Sequence, residues 1–180
     1  MKIKTNLLSA SVTVLLVSHI AFSTMAQAQD ALTAIQRDFE DSAKWNKLPN
    51  GYNWVETGGV SDSACIVIQR ENTHDYGTLG IIRLKNPEPG TYLLSADMKV
   101  EEFGDGKASG SIYIDLNQDG EYVAIKPNGI SSGPTGGAWV KVEGQVSVPD
   151  GITEGWIGAI IPKGQTGKVS IDNLMFKKVE

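Results

Sequence analysis

The stretch Pro89-Gly90-Thr91-Tyr92-Leu93-Leu94-Ser95-Ala96-Asp97-Met98-Lys99-Val100 decides the fold class of this chain. A Pro-Gly pair starts it, and apolar residues then occupy every second position from Tyr92 to Val100. Alternate side chains of a strand point to opposite faces, so this pattern predicts a strand with one face in a core. The other face, which carries Asp97 and Lys99, is predicted to meet solvent or a ligand.

The rest of the chain shows the same pattern of short apolar runs between turn residues. All 20 glycines follow residue 28, and Pro-Gly, Asp-Gly and Gly-Gly pairs separate the runs. Many short strands without intervening helices indicate an all-β sandwich or barrel. We predict strands at residues 54–56, 64–70, 78–84, 91–100, 110–116, 122–125, 139–148, 155–161 and 168–177.

The N-terminal residues have the features of a secretory signal. Lys2 and Lys4 are followed by an apolar run, and Ala26-Gln27-Ala28 has the small-x-small form of a cleavage site. We therefore expect a signal peptide at residues 1–28, a tether or short helix at 29–37, and one domain at 38–180. The expected location is secreted or periplasmic, without insertion into the membrane.

Charge and composition exclude several function classes. Without Lys2 and Lys4, 14 of the 16 basic residues remain against 21 acidic ones, which disfavours binding to nucleic acid. Cys65 is the only cysteine, so no intramolecular disulfide can form. His74 is the only histidine after the signal, and no zinc-ligand cluster or nucleophilic triad is present. We therefore predict that the protein is not an enzyme.

One segment has part of a calcium-binding pattern. Asp115-Leu116-Asn117-Gln118-Asp119-Gly120 places oxygen ligands at alternate positions before a glycine, but the twelfth position is Lys126 instead of glutamate. A hairpin with its turn at residues 117–120 explains the same residues more simply. A second calcium between Asp115 and Asp119 stays open.

Four elements together resemble jelly-roll carbohydrate-binding modules of the galactose-binding-like superfamily, the xylan- and glucan-binding type. They are Asp38-Phe39-Glu40-Asp41 with Trp45, the Pro89–Val100 stretch, residues 137–144 around Trp139, and Ser170-Ile171-Asp172-Asn173-Leu174-Met175-Phe176. They occur in the family's order and span nearly the whole domain. The resemblance implies a jelly-roll β-sandwich of two antiparallel sheets.

The same resemblance implies a structural calcium that joins the first and last strands. Its ligands would include Glu40 and Asp172, with Asp38 as a weaker addition. The alternative is that Glu40 is a solvated acid at a strand end and that Asp172 caps a turn.

Sugar binding needs exposed aromatic rings together with polar groups that bond hydroxyls. Tyr113 alternates against Ile112 and Ile114, so it would face outward if the isoleucines are inside. Our predicted binding surface combines two aromatic and three charged residues: Trp54, Arg70, Asp97, Lys99 and Tyr113. The alternative is a scatter of partly exposed aromatics without a shared function.

Three functions are compatible with these features. The resemblance favours a secreted, non-catalytic module that binds a polysaccharide or oligosaccharide. A structural or adhesion subunit that contacts a secreted enzyme or a surface protein is the alternative. A small hydrolase or lyase is the least favoured, since the adjacent Glu101 and Glu102 would point to opposite faces of a strand.

Overall fold

The computed structural model describes residues 34–45, 47–49, 51–71, 80–103, 107–127 and 129–179. The expected signal peptide, the first residues of the expected tether and His74 lie outside these ranges. The described part is an all-β sandwich with one short helix, α1 (Ser42–Trp45), and one 3-10 turn (Val60–Asp62). No helix in this part is long and apolar enough to cross a membrane.

Two antiparallel sheets form the sandwich, as the resemblance implied. The strands of the first sheet are β1 (Ala34–Arg37), β2 (Tyr52–Val55), β3 (Cys65–Arg70), β5 (Gly90–Glu102), β9 (Val140–Val148) and β11 (Gly167–Lys178). Their order is β2-β3-β11-β5-β9, and β1 also pairs with β11. The strands of the second sheet are β4 (Ile82–Lys85), β6 (Gly110–Gln118), β7 (Glu121–Ile125), β8 (Ser131–Ser132) and β10 (Glu154–Ile160). Their order is β4-β10-β6-β7, and β8 also pairs with β6.

The Pro89–Val100 stretch forms most of β5, which lies between β11 and β9. Its alternating apolar side is the core side, as predicted: none of these five side chains is more than 1% exposed, namely Tyr92, Leu94, Ala96, Met98 and Val100. The Tyr92 ring stacks on Phe176 of β11 with centroids 4.2 Å apart. Burial of one face on each sheet against the other supplies the main stabilising free energy.

The expectation of a helix or tether is wrong for residues 34–37. These residues form β1, which pairs with residues Leu174–Lys177 of β11, and Ile35 is buried. The apolar residues near the N-terminus resembled a helical pattern, but the free edge of β11 offers main-chain hydrogen bonds to an extended segment. Local sequence alone does not reveal that edge.

The hairpin interpretation of residues 115–120 is confirmed. β6 and β7 pair with Gln118 opposite Glu121, and Asp119 and Gly120 form the turn with φ values of 54° and 90°. Positive φ at both turn positions is typical of a type I′ turn, for which Asp-Gly is a preferred pair. The Gly120 amide also donates a hydrogen bond to Asn117 Oδ1 at 3.0 Å.

Candidate functional site

Asp172 is the most deeply buried acid among the expected metal ligands. It is 1% exposed, and protein donors occupy both of its carboxylate oxygens. Oδ2 accepts hydrogen bonds from the Val60 amide at 2.9 Å and from Ser63 Oγ at 2.8 Å, while Oδ1 accepts one from the Asn173 amide at 2.6 Å. These bonds link the last strand to the loop that precedes β3.

Glu40 reaches the same loop from the other end of the chain. Its Oε1 accepts a hydrogen bond from the Ala64 amide at 3.0 Å, next to Ser63. Asp38 is exposed and caps its own turn by accepting from the Glu40 amide at 3.3 Å. Glu40 and Asp172 therefore hold neighbouring residues of one loop.

The observed hydrogen bonds satisfy the Asp172 carboxylate without a metal ion. Calcium takes six to eight oxygen ligands, whereas the Asp172 oxygens meet N–H and O–H donors. Within the described ranges, no three acids, histidines or cysteines come close enough to hold a metal. Calcium stays a prediction from the resemblance, and the hydrogen bonds satisfy Asp172 without it.

The five residues of the predicted binding surface are not brought together. Asp97 and Lys99 do share the outer face of the first sheet. Asp97 Oδ2 accepts a hydrogen bond from Asn173 Nδ2 at 2.8 Å. Lys99 Nζ lies 5.0 Å from the Trp139 ring centroid and donates to the Gly58 carbonyl.

The other three residues lie elsewhere, so the prediction of a single surface is wrong. Arg70 is 1% exposed and donates from Nη1 to the Pro162 carbonyl at 3.0 Å, because it lies on the core side of β3. Trp54 packs against the core at the edge strand β2. Tyr113 lies on the outer side of the second sheet, as its alternation implied, but it is buried there.

A different set of side chains comes together on the outer face of the second sheet. Arg83, Trp156, Asp115 and Ala124 lie opposite one another on β4, β10, β6 and β7, and we call them the Trp156 row. The Arg83 guanidinium lies 5.9 Å from the Trp156 ring centroid. It also pairs with Glu154, the next outward residue of β10. Cross-strand neighbours of this kind hold the half-buried indole in place.

Tyr113 and Gly158 form the adjacent cross-strand pair on this face. A Cβ at Gly158 would lie 2.6 Å from the Tyr113 hydroxyl, so the tyrosine ring lies directly over the glycine. Glycine is required here because any larger residue would displace the ring. The pair covers the sheet beside the Trp156 row.

The pKa values of the two acids on this face, Glu154 and Asp115, are shifted in opposite directions. The Arg83 guanidinium, assisted by the Tyr122 hydroxyl, lowers the pKa of Glu154. Burial raises the pKa of Asp115, and the charge of Lys126 offsets this only in part. In the part of the chain that the structure describes, no hydrogen bond reaches the Asp115 carboxylate. A half-buried acceptor beside an indole is therefore left available to a ligand hydroxyl.

This geometry predicts that Asp115→Asn stabilises the protein at pH 7. Asparagine removes the cost of partly burying a charge, and we expect a gain of about 0.5 kcal/mol after solvent screening, or roughly 1–2 °C in melting temperature. The raised pKa means that the folded state binds the Asp115 proton more tightly than the unfolded state does. The wild-type penalty is therefore complete above the raised pKa and disappears as pH falls towards 3.8.

Thermal melts of both proteins between pH 3.5 and 8 check this prediction. The stability difference should shrink as pH falls. Equal melting temperatures at pH 7, or a difference that grows with acidity, would contradict it.

Sequence patterns indicate the Trp156 row only in part. Strand alternation places Tyr113 and Asp115 on one side, and a tryptophan at the start of β10 suggests a rim. The row exists because Trp156 lies opposite Asp115, a pairing across 41 positions of chain. Local patterns contain no information about that register.

Solved structures share this fold. The CBM22-1 and GH10 modules of Clostridium thermocellum xylanase 10B, solved with xylohexaose, match at 14% identity and a TM-score of 0.60. That match covers 83% of this chain and 29% of the other, so this chain spans less than a third of that protein. The CBM22-1 xylan-binding domain of Paenibacillus barcinonensis Xyn10C matches at 14% identity and a TM-score of 0.57, over 81% of this chain and 94% of that one.

A further xylan-binding domain of CBM22 matches at 14% identity and a TM-score of 0.56, over 83% of this chain and 96% of that one. No protein-family model matches the sequence, and no curated protein matches it. The resemblance to jelly-roll carbohydrate-binding modules is thus confirmed for the fold. At this level of identity, function has to be argued from the site.

Proposed function

We propose that this protein is a non-catalytic module that binds polysaccharide along the Trp156 row. The observation that carries the proposal is the Asp115 carboxylate, which lies half-buried beside Trp156 and accepts no hydrogen bond from the described residues. An indole offers a flat apolar surface to a pyranose ring, and the carboxylate can accept hydrogen bonds from its hydroxyls. The fold shared with xylan-binding domains supports a β-linked polysaccharide as the ligand.

The charge pattern supports binding without cleavage. A glycosidase pairs a protonated acid with a second carboxylate that acts as a base or nucleophile. Here Glu154, the acid two residues before Trp156 on β10, forms an ion pair with Arg83. The ionised Glu154 is better suited to fixing Arg83 over the indole than to attacking a sugar.

Affinity electrophoresis of the purified protein tests this proposal. Native gels containing xylan, mixed-linkage β-glucan, mannan or pectin should retard the protein on at least one polysaccharide relative to albumin. Incubation with that polysaccharide should release no reducing sugar. Equal migration on every gel would contradict polysaccharide binding, and sugar release would contradict a non-catalytic role.

The alternative is a subunit that contacts a protein partner. It is favoured by β7, the edge strand of the second sheet, where Tyr122 is 50% and Val123 is 49% exposed. Exposed edges with apolar side chains are typical places for strand addition. Capture of one protein by the wild type but not by Val123→Lys, with no retention on any polysaccharide, would favour this function.

Calcium and export belong to the same proposal and have separate tests. If a calcium ion joins Glu40 and Asp172, EDTA should lower the melting temperature and added CaCl₂ should restore it, because a ligand specific to the folded state stabilises that state. An unchanged melting temperature would mean that the hydrogen bonds of Asp172 alone join the last strand to this loop. Recovery of a shortened chain outside the cytoplasm would support the proposed signal at residues 1–28.

A further inference from the structure

A pocket lies at the edge of the first sheet, beside strand β2. It has a volume of about 500 Å³ and opens between α1 and β2. This size falls in the range of small-molecule sites. Its lining residues come from both elements and from the segment between them: Ser42, Ala43, Trp45, Lys47, Leu48, Tyr52, Asn53 and Trp54. None of them belongs to the Trp156 row.

The aromatic residues of this pocket are fixed before any ligand arrives. Trp54 Nε1 donates a hydrogen bond to the Phe39 carbonyl at 2.8 Å, which anchors one edge of a half-buried indole. Trp45 is 8% exposed and packs edge-on against the Phe39 ring, with centroids 4.9 Å apart. Rigid aromatic walls lose little conformational entropy when a ligand binds.

The polar residues of the pocket are, in contrast, available. Ser42, Lys47 and Asn53 are exposed, and in the described ranges their side chains make no hydrogen bond or ion pair. Among the described lining residues, Lys47 is the only charged one and none carries a carboxylate. Asn53 alternates with Tyr52 and Trp54 on β2, so its side chain points to the outer face of the first sheet. The pocket therefore combines an indole wall with one hydroxyl and one cation.

We propose that this pocket is a second carbohydrate site, which takes one pyranose unit and prefers a unit that carries a carboxylate. The indole of Trp54 stacks on the sugar ring, Ser42 bonds its hydroxyls, and Lys47 pairs with a uronate. This inference rests on the proposed function for its ligand class and concerns a separate surface. Two sites on one module would raise the affinity for a long chain that reaches both of them.

Nuclear magnetic resonance of the ¹⁵N-labelled protein tests the two sites separately, because each tryptophan gives its own indole N–H signal. The probes are methyl β-D-glucopyranoside and methyl β-D-glucuronopyranoside at up to 50 mM. We expect the Trp54 indole and Ser42 backbone amide signals to shift with both, with about five-fold tighter binding of the glucuronide. A pair between Lys47 and a carboxylate at an exposed site is worth about 1 kcal/mol, which corresponds to that ratio.

Two variants and a control sharpen this test. Lys47→Gln should abolish the preference for the glucuronide, and Ala43→Trp should fill the pocket and abolish the shifts. Lys141→Gln, an exposed lysine on β9 outside the pocket, should change neither. An unfolded variant would be recognised by collapse of its whole spectrum.

The outcomes distinguish this inference from the proposed function. One outcome is that xylohexaose or another hexasaccharide shifts the Trp156 indole signal while neither glycoside shifts the Trp54 signal. That outcome would overturn the second site alone. Shifts at Trp54 with none at Trp156 would support the second site and contradict the Trp156 row as the polysaccharide surface. Equal affinity for the two glycosides would overturn the role of Lys47.

Discussion

Asp172→Ala is expected to lower the free energy of unfolding by about 3 kcal/mol, or roughly 6–12 °C in melting temperature. The substitution removes an acceptor that satisfies the Val60 and Asn173 amides and the Ser63 hydroxyl. These donors are part-buried, so each one left without its acceptor costs part of its desolvation free energy, and the three together account for the expected loss. The substitution also removes the link between the loop before β3 and the last strand. Chemical denaturation followed by tryptophan fluorescence measures the loss.

Two comparisons make this result specific. Asp97→Ala removes the acid directly opposite on β5, which has one exposed hydrogen bond, and should cost less than 1 kcal/mol. Asp172→Asn keeps one carbonyl oxygen and should fall between the two. A loss below 1 kcal/mol for Asp172→Ala would show that the hydrogen bonds are not an important link between the strands.

Trp156→Ala is expected to weaken polysaccharide binding by about 30-fold. A central aromatic of a binding surface contributes about 2 kcal/mol, which corresponds to that factor in the dissociation constant. The side chain is only half-buried, so the melting temperature should change little compared with Asp172→Ala. Isothermal titration with the polysaccharide that retards the wild type measures the effect.

Trp139→Ala is the matched control for this prediction. Trp139 is also half-buried, but it lies under Lys99 on the outer side of the first sheet. Its loss should leave the affinity for polysaccharide within about two-fold, since it touches no residue of the Trp156 row. Equal weakening by the two substitutions would indicate a general effect on folding. Weakening by Trp139→Ala alone would move the binding surface to the first sheet.

The alternation of apolar residues was sufficient to predict the core strands. It placed Tyr92, Leu94 and Met98 in the core, and strand boundaries mostly agree within a few residues. β1 and the two-residue β8 were missed, because each exists through pairing with a strand distant in sequence. Periodicity describes one strand at a time and does not show which strand pairs with it.

The binding surface was harder to predict for the same reason. Asp97 and Lys99 were correctly placed on an outer face, yet Tyr113 belongs to the other sheet, on the opposite side of the molecule from them. Arg70 was included in the predicted surface, but its side chain is buried and donates a hydrogen bond to the Pro162 carbonyl. Only the three-dimensional register shows which exposed residues are neighbours.

The pairing of β11 has a consequence for folding. β1 and β3 lie end to end along one side of β11, and β5 occupies the other side. The first sheet therefore cannot be completed until residues 167–178 have left the ribosome. Before that point β3 and β5 have no common neighbour and expose apolar faces. Most contacts join distant parts of the chain, so slow folding that awaits the synthesis of β11 is expected.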